Sequence, residues 1–180
     1  KPTNPVAVLK HSWRNYVRLQ EDLIQQNVLS RPPANWCPPF VDWVKLNVDG
    51  AVARSTGKAE CGGVLRNHLG EWIAGFSHQI GICSVMEAEE WAVLKGLQLS
   101  WDLGFRRVVV ESNAQDVIAL LNDREESIVG DLIFYQIREW VSNAWDLHLQ
   151  CIHRETNLVV DCLAKEGSLN PFSSTFVQIS

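Results

Sequence analysis

The spacing of apolar residues changes along the chain, and this change constrains the fold more than any other feature of the sequence. Apolar and polar side chains alternate from Trp43 to Asp49, and Cys61–Arg66 and Glu71–Gln79 continue with strand-like segments. From Ser84 to Leu103 the apolar residues recur instead at three- and four-residue steps. Three strands with short connections predict an antiparallel meander, and a long helix must follow it.

The rest of this region alternates helices with short strands. Ser84 and Glu87 have the spacing of a capping box that begins the long helix, and Gly104 is placed to end it. Arg107–Glu111 contains three successive valines, which predicts a buried parallel strand. Two further helices, a fifth strand and a closing helix are predicted at Asn113–Leu121, Ile128–Ala144, Leu147–His153 and Asn157–Lys165. The order βββαβααβα predicts an α/β fold, a five-stranded mixed sheet with helices on both faces.

Two segments precede the predicted domain. Residues 1–29 predict an amphipathic helix, because apolar residues recur there at helical steps. Residues 30–42 contain four prolines and predict an extended linker, since proline disfavours both helix and sheet. The domain is expected at residues 43–170, followed by a tail at 171–180.

Composition favours certain cellular compartments but does not decide whether the chain binds nucleic acid. The five cysteines are scattered without C-x-x-C spacing, which disfavours a zinc site and favours a reducing nuclear or cytoplasmic compartment. No apolar run approaches the roughly 18 residues of a membrane span, and no signal peptide begins the chain. The formal net charge of −5 argues against a strong overall attraction to nucleic acid, although a local basic face is compatible with it. No oligomeric state is indicated.

Three acidic residues lie on three separate predicted elements. Asp49 ends the first strand, Glu89 lies one turn into the long helix, and Asp161 lies four residues after Asn157. If the first strand is central, these carboxylates converge, as a site for two divalent cations about 4 Å apart requires. Each also has an ordinary explanation: turn formation before Gly50, interaction with the helix dipole, or a solvated helix face. Spacing alone leaves both interpretations open.

Four strings in order carry a resemblance to a known family. They are Leu46-Asn-Val-Asp-Gly50, Glu87-Ala-Glu-Glu-Trp-Ala92 with Gly96-Leu97, Val109-Val-Glu-Ser112, and Arg154-Glu-Thr-Asn157 with Asp161 and Leu163-Ala164. Together they resemble the ribonuclease H domains found in plants, especially those similar to the C-terminal domain of non-LTR retroelement reverse transcriptases. The resemblance covers about Trp43 to Gly167.

The resemblance implies a fold, a reaction and a set of residues. It implies cleavage of RNA in an RNA–DNA hybrid with Mg²⁺ or Mn²⁺ held by Asp49, Glu89 and Asp161. Asn113 stands where the family has a fourth acidic ligand, so it is expected to be a neutral ligand. The substrate contacts that it implies are Asn47, Gly50, Arg54, Lys58, Arg154 and Asn157. Arg54 and Lys58 fall in a loop predicted at Gly50–Ala59.

Two departures from the family pattern give an alternative function. Asn113 brings an amide oxygen but no charge, and it also suits the N-cap of the next helix, with Asp116 three residues on. Glu111 and Asp116 are the nearest acids that could compensate. Cys151 stands where the family usually has a histidine, with His153 two residues further on. The alternative is a catalytically degenerate domain that binds nucleic acid or protein, or a retroelement remnant without a role.

Overall fold

The computed structural model describes residues 36–123, 131–157 and 175–178. They form six strands, three helices and one 3-10 turn. The strands are β1 (Val44–Val52), β2 (Lys58–Arg66), β3 (Trp72–Ile82), β4 (Arg107–Ser112), β5 (Asp146–Cys151) and β6 (Thr175–Gln178). The helices are α1 (Val85–Asp102), α2 (Gln115–Asn122) and α3 (Leu132–Val141), and the 3-10 turn is Arg154–Thr156.

The strands form one mixed sheet in the order β5-β4-β1-β2-β3-β6. β1 pairs antiparallel with β2 and parallel with β4, so it is central, as the convergence of carboxylates requires. The predicted α/β class and the first five strands are confirmed. β6 is a sixth strand from the predicted tail, antiparallel to β3. Its four residues are too few to show a period, so only the neighbouring strand reveals it.

The three helices share one hydrophobic core on one face of the sheet. Val44, Leu46 and Val48 point from β1 into this core, and a Cβ at Gly96 of α1 would lie 2.6 Å from a Leu46 methyl. Side chains alternate along a strand, so Lys45, Asn47 and Asp49 point to the opposite face. The predicted N-terminal helix and the predicted closing helix beyond Asn157 lie outside the described residues.

The residues predicted to begin and end the long helix do so at both ends of α1. The Ser84 hydroxyl accepts from the Glu87 N–H at 3.2 Å, and Glu87 Oε2 accepts from the Ser84 N–H at 2.7 Å, which confirms the capping box. Leu103 is the C-cap, and Gly104 follows with φ +86°, a conformation that glycine adopts without strain. Both helix ends could be predicted from the sequence because the capping residues are close together in the chain.

Other boundaries were predicted wrongly. The loop at Gly50–Ala59 is shorter, because β1 and β2 stay paired as far as Val52 and Ala59. Asn113 is not the N-cap of α2: Ala114 has that position, and no side chain caps the helix. Sequence position alone could not show that the Asn113 amide has a partner elsewhere.

The last described elements are also shorter than predicted. Asp131 caps α3, since its Oδ1 accepts from the N–H groups of Ile133 and Phe134 at 2.9 and 3.0 Å, and the helix ends at Val141. β5 ends at Cys151 and is followed by the 3-10 turn. Within the described residues, no helix is both long enough and apolar enough to cross a membrane.

Candidate metal and nucleic-acid site

β1 and the first turns of α1 bring Asp49 and Glu89 together. Gly50 permits this approach, because a Cβ there would collide with the backbone of Ala88 and Glu89. The Gly50 N–H donates to Glu89 Oε2 at 3.0 Å. Asp49 is 4% exposed and Glu89 7% exposed, so both carboxylates are largely withdrawn from water.

The surroundings of Glu89 favour a positive group beside it. The pKa of Glu89 is raised from 4.5 to about 8, chiefly by burial and next by the nearby Asp49 carboxylate, while the Gly50 hydrogen bond and the Arg154 charge act in the opposite direction. Two buried carboxylates at close range disfavour each other's ionised form. A cation between them would relieve that repulsion.

A hydrogen-bonded amide links Asn113 to Val48, the residue before Asp49. Asn157 Nδ2 donates to the Val48 carbonyl oxygen at 2.8 Å and to Asn113 Oδ1 at 2.9 Å. Val48 directly precedes Asp49, so the Asn113 amide oxygen is linked to the part of β1 just beyond its last pair with β4. Asn157 is 1% exposed, and its Oδ1 is buried with no hydrogen-bond donor among the residues that the structure describes.

Asn47, a predicted substrate contact, is instead part of a buried network. Its Oδ1 accepts from Trp36 Nε1 at 3.0 Å and from Arg66 Nη1 at 3.5 Å, and its Nδ2 donates to Glu111 Oε2 at 2.9 Å. Asn47 is 2% exposed, so the structure does not support a contact with a substrate. Trp36 and Arg66 were not singled out from the sequence, because no local pattern links them to Asn47.

Neither acid near Asn113 compensates for its missing charge. Glu111 is committed to the network, since its Oε1 lies 2.6 Å from Lys45 Nζ while its Oε2 accepts from Asn47. Asp116 is exposed in the first turn of α2. The described residues therefore leave position 113 neutral.

The remaining predicted substrate residues divide into exposed and buried groups. Arg54 in the β1–β2 loop, Lys58 at the start of β2 and Arg154 in the 3-10 turn are exposed. The charge of Arg154 also acts on Glu89, which places it close to the acid pair. The Gly50 N–H donates to Glu89 within the protein, and Asn157 is buried.

Cys151 and His153, at and near the position where the family usually has a histidine, lie at and just beyond the end of β5. Cys151 is exposed at the end of β5, where it pairs with Ser112, directly before Asn113. His153 is exposed and begins the 3-10 turn. Asp161 lies outside the described residues.

The oxygen donors that come together suit a hard divalent cation. Among the described residues no group of three or more His, Cys, Asp or Glu side chains could hold a metal ion. The candidate ligands there are two carboxylates and one amide oxygen, which are groups that Mg²⁺ and Mn²⁺ prefer. The repulsion within the acid pair and the buried Asn157 oxygen without a donor are compatible with a cation and its water.

Comparison with known proteins identifies the family. Residues 47–167 match the model of a family described as reverse transcriptase-like. The chain belongs to this family. The ribonuclease H resemblance seen in the sequence is thereby confirmed at the level of the family and, as the solved structures below show, of the fold.

Relatives and solved structures agree on the ribonuclease H-like domain. A protein of Arabidopsis thaliana, provisionally named a ribonuclease H protein, is 35% identical over 130 residues, which are 72% of this chain and 21% of that protein. The chain thus spans about a fifth of this relative. Ribonuclease H1 of the archaeon Halobacterium salinarum is 27% identical with a TM-score of 0.65, covering 70% of this chain and 97% of its own.

A further solved structure shows the fold alone. LC11 ribonuclease H1, solved in complex with an RNA/DNA hybrid, is 22% identical with a TM-score of 0.61. The match covers 68% of this chain and 94% of that one.

Proposed function

We propose that this ribonuclease H-like domain hydrolyses the RNA strand of RNA–DNA hybrids with the help of Mg²⁺ or Mn²⁺. The observation that carries the proposal is the buried pair of Asp49 on the central strand and Glu89 in the first turns of α1. Like charges are rarely buried together without a function, and they favour a bound cation. The family and a neighbour solved with a hybrid support the choice of substrate.

The residues have separate roles in this proposal. Asp49 and Glu89 hold the cations through carboxylate oxygens, and Asn113 adds a neutral amide oxygen. Asp161 is a further proposed ligand, on the basis of the family resemblance. Cations bound there would activate a water and offset the charge that develops on the phosphate. The burial of Asp49 and Glu89 strengthens this interaction, because it limits screening by water.

Exposed basic side chains would hold the hybrid. Arg54, Lys58 and Arg154 are exposed, and Arg154 lies near Glu89. Lysine and arginine contact phosphates without regard to sequence, and 2′-hydroxyls distinguish the RNA strand. With a net charge of −5 over the whole chain, binding depends on these few local contacts and should weaken as salt rises.

Asn113 favours a second candidate function, a binding domain that has lost catalysis. A neutral residue at position 113 removes charge from the site, and its Oδ1 is already engaged by Asn157. Loss of one tuned electrostatic contact commonly costs about 3–4 kcal/mol of the activation barrier, or roughly a hundred- to a thousandfold in rate. Cys151, a thiol at the site's edge, fits the same interpretation.

Cleavage of a labelled RNA–DNA hybrid, first with Mg²⁺ and then with Mn²⁺, separates the two candidates. The parent is compared with Asp49→Asn and Asn113→Asp, and with Asp116→Asn as a matched control on an exposed acid. Cleavage by the parent and the control, lost in Asp49→Asn, supports the nuclease. Cleavage only by Asn113→Asp identifies a degenerate site with intact geometry. If all variants bind hybrid without cutting it, the nuclease proposal fails and the binding domain remains.

A further inference from the structure

Both hydrogens of the Asn157 carboxamide are used within the protein. One is donated to the Val48 carbonyl oxygen at 2.8 Å and the other to Asn113 Oδ1 at 2.9 Å. A backbone carbonyl can only accept, so Val48 fixes which end of the Asn157 amide faces β1. The same nitrogen then requires the oxygen of the Asn113 amide, and not its NH₂ group, to face Asn157.

This arrangement joins two elements that carry the candidate site. Val48 and Asp49 are consecutive in β1, while Asn113 directly follows β4. The two strands are parallel neighbours, and their ladder pairs end at Asn47 and Glu111. Asn157 therefore continues the link between the strands where the ladder itself has stopped.

Burial excludes a direct contact between Asn157 and nucleic acid. The residue is 1% exposed, and its Oδ1 has no donor among the described residues. A buried acceptor without a donor destabilises a fold, so the amide is not explained as a stabilising contact alone. Polar groups behind metal ligands commonly act by orienting those ligands.

We propose that Asn157 is a positioning residue, which holds the Asn113 amide oxygen beside Asp49 and acts on the metal site only through Asn113. This inference rests on the proposed function, because it assigns a role within the same site. It replaces the direct substrate contact that the family resemblance implied for Asn157. The consequence is that mutations at the two asparagines should not be additive.

A double-mutant cycle in cation affinity tests the proposal without nucleic acid. Mn²⁺ or Mg²⁺ is titrated calorimetrically into the parent, Asn157→Ala, Asn113→Ala and the double variant. Asn157→Ala should weaken affinity about fivefold, which corresponds to one neutral hydrogen bond. In the Asn113→Ala background the same change should have no further effect. Equal losses in both backgrounds, or no loss in Asn157→Ala, would overturn the proposal.

Asn122→Ala is the matched control for the loss of a side-chain amide hydrogen bond. Asn122 Nδ2 donates to the Leu149 carbonyl oxygen at 3.2 Å, linking α2 to β5, and Asn122→Ala should leave cation affinity unchanged. If Asn157→Ala does not fold, Asn157→Leu replaces it, since leucine is uncharged and of similar size but donates no hydrogen bond.

The side-chain NH₂ protons of Asn157 provide the readout that needs no metal. By NMR both protons should exchange slowly with solvent in the parent, and one should exchange faster in Asn113→Ala. Fast exchange of both in the parent would overturn the inference. A parent that binds no cation would instead overturn the proposed function, and the protons would still show whether Asn157 holds Asn113.

Discussion

One face of β1 carries two polar clusters of opposite character. The first, the anchoring cluster, consists of Trp36, Lys45, Asn47, Arg66 and Glu111. Lys45 Nζ lies 2.6 Å from Glu111 Oε1 and donates to the Cys37 carbonyl oxygen at 2.7 Å. The Trp36 ring has Lys45 Nζ at 5.4 Å and Arg66 Cζ at 5.1 Å from its centroid. Opposite charges and complementary donors meet throughout this cluster.

The second, the acid cluster, consists of Asp49, Glu89, Asn113 and Asn157. It begins only two residues beyond Asn47 on the same strand, yet it brings like charges together and leaves one buried amide oxygen without a described donor. In the anchoring cluster, charged and hydrogen-bonding groups find partners within the cluster. The acid cluster, in contrast, would be stabilised by a cation bound from solution. Local conflict of this kind is expected at functional sites, because elsewhere it only reduces stability. The comparison therefore predicts that removing an acidic group will destabilise the protein in the anchoring cluster and stabilise the metal-free protein in the acid cluster.

Glu111→Ala should have the largest effect, because it removes the carboxylate that Lys45 contacts. Breaking a buried ion pair by removing one partner commonly costs about 3–5 kcal/mol of unfolding free energy. Urea unfolding measures the loss. Glu111→Gln, which retains an acceptor for Asn47, should lose less. A loss below about 1 kcal/mol in Glu111→Ala would mean that the anchoring cluster is not a stabilising network.

Trp36→Ala should have the next largest effect. It removes the indole hydrogen bond to Asn47 and two cation–π contacts, which together amount to about 2 kcal/mol. Trp36→Phe is the matched control, because it keeps a ring but loses the N–H, and should cost about 1 kcal/mol. Equal stability of all three proteins in thermal unfolding would show that residue 36 is not an anchor.

Glu89→Gln should act in the opposite direction. Without metal, in EDTA, it removes a carboxyl group whose ionisation is disfavoured by burial and by Asp49, while its side-chain oxygen can still accept from the Gly50 N–H. The free energy of unfolding should rise by about 1 kcal/mol, and cation binding should be lost. Asp116→Asn, on an exposed acid, should change neither. A less stable metal-free Glu89→Gln would contradict the view that the acid cluster is held against repulsion.

Asn113→Asp should have the smallest effect on stability and a clear one on affinity. The carboxylate can still accept from Asn157, so the metal-free protein should lose only about 0.5–1 kcal/mol from the added charge. Affinity for Mn²⁺ should rise about tenfold, since an added charged ligand offsets more of the cation's charge. Unchanged affinity would place residue 113 outside the metal site. The contrast with the anchoring cluster would then rest on Asp49 and Glu89 alone.

The sequence alone predicted which side chains share a face of β1, where α1 begins and the order of the elements. The alternation in β1 put Lys45, Asn47 and Asp49 on one face, and Ser84 with Glu87 marked the start of α1. Both signals arise between residues close in the chain, through side-chain period and capping geometry. The order of elements, and with it the fold, followed from such local signals together with the family strings.

Only the tertiary structure decided what each polar side chain contacts. Asn113 and Asp116 read locally as a helix cap, yet the Asn113 amide is held by Asn157, 44 residues away. Asn47 read as a substrate contact, yet it is enclosed by Trp36, Arg66 and Glu111, which meet because β1 lies between β2 and β4. Such partners depend on strand order and register, which join residues that the period of the sequence cannot relate.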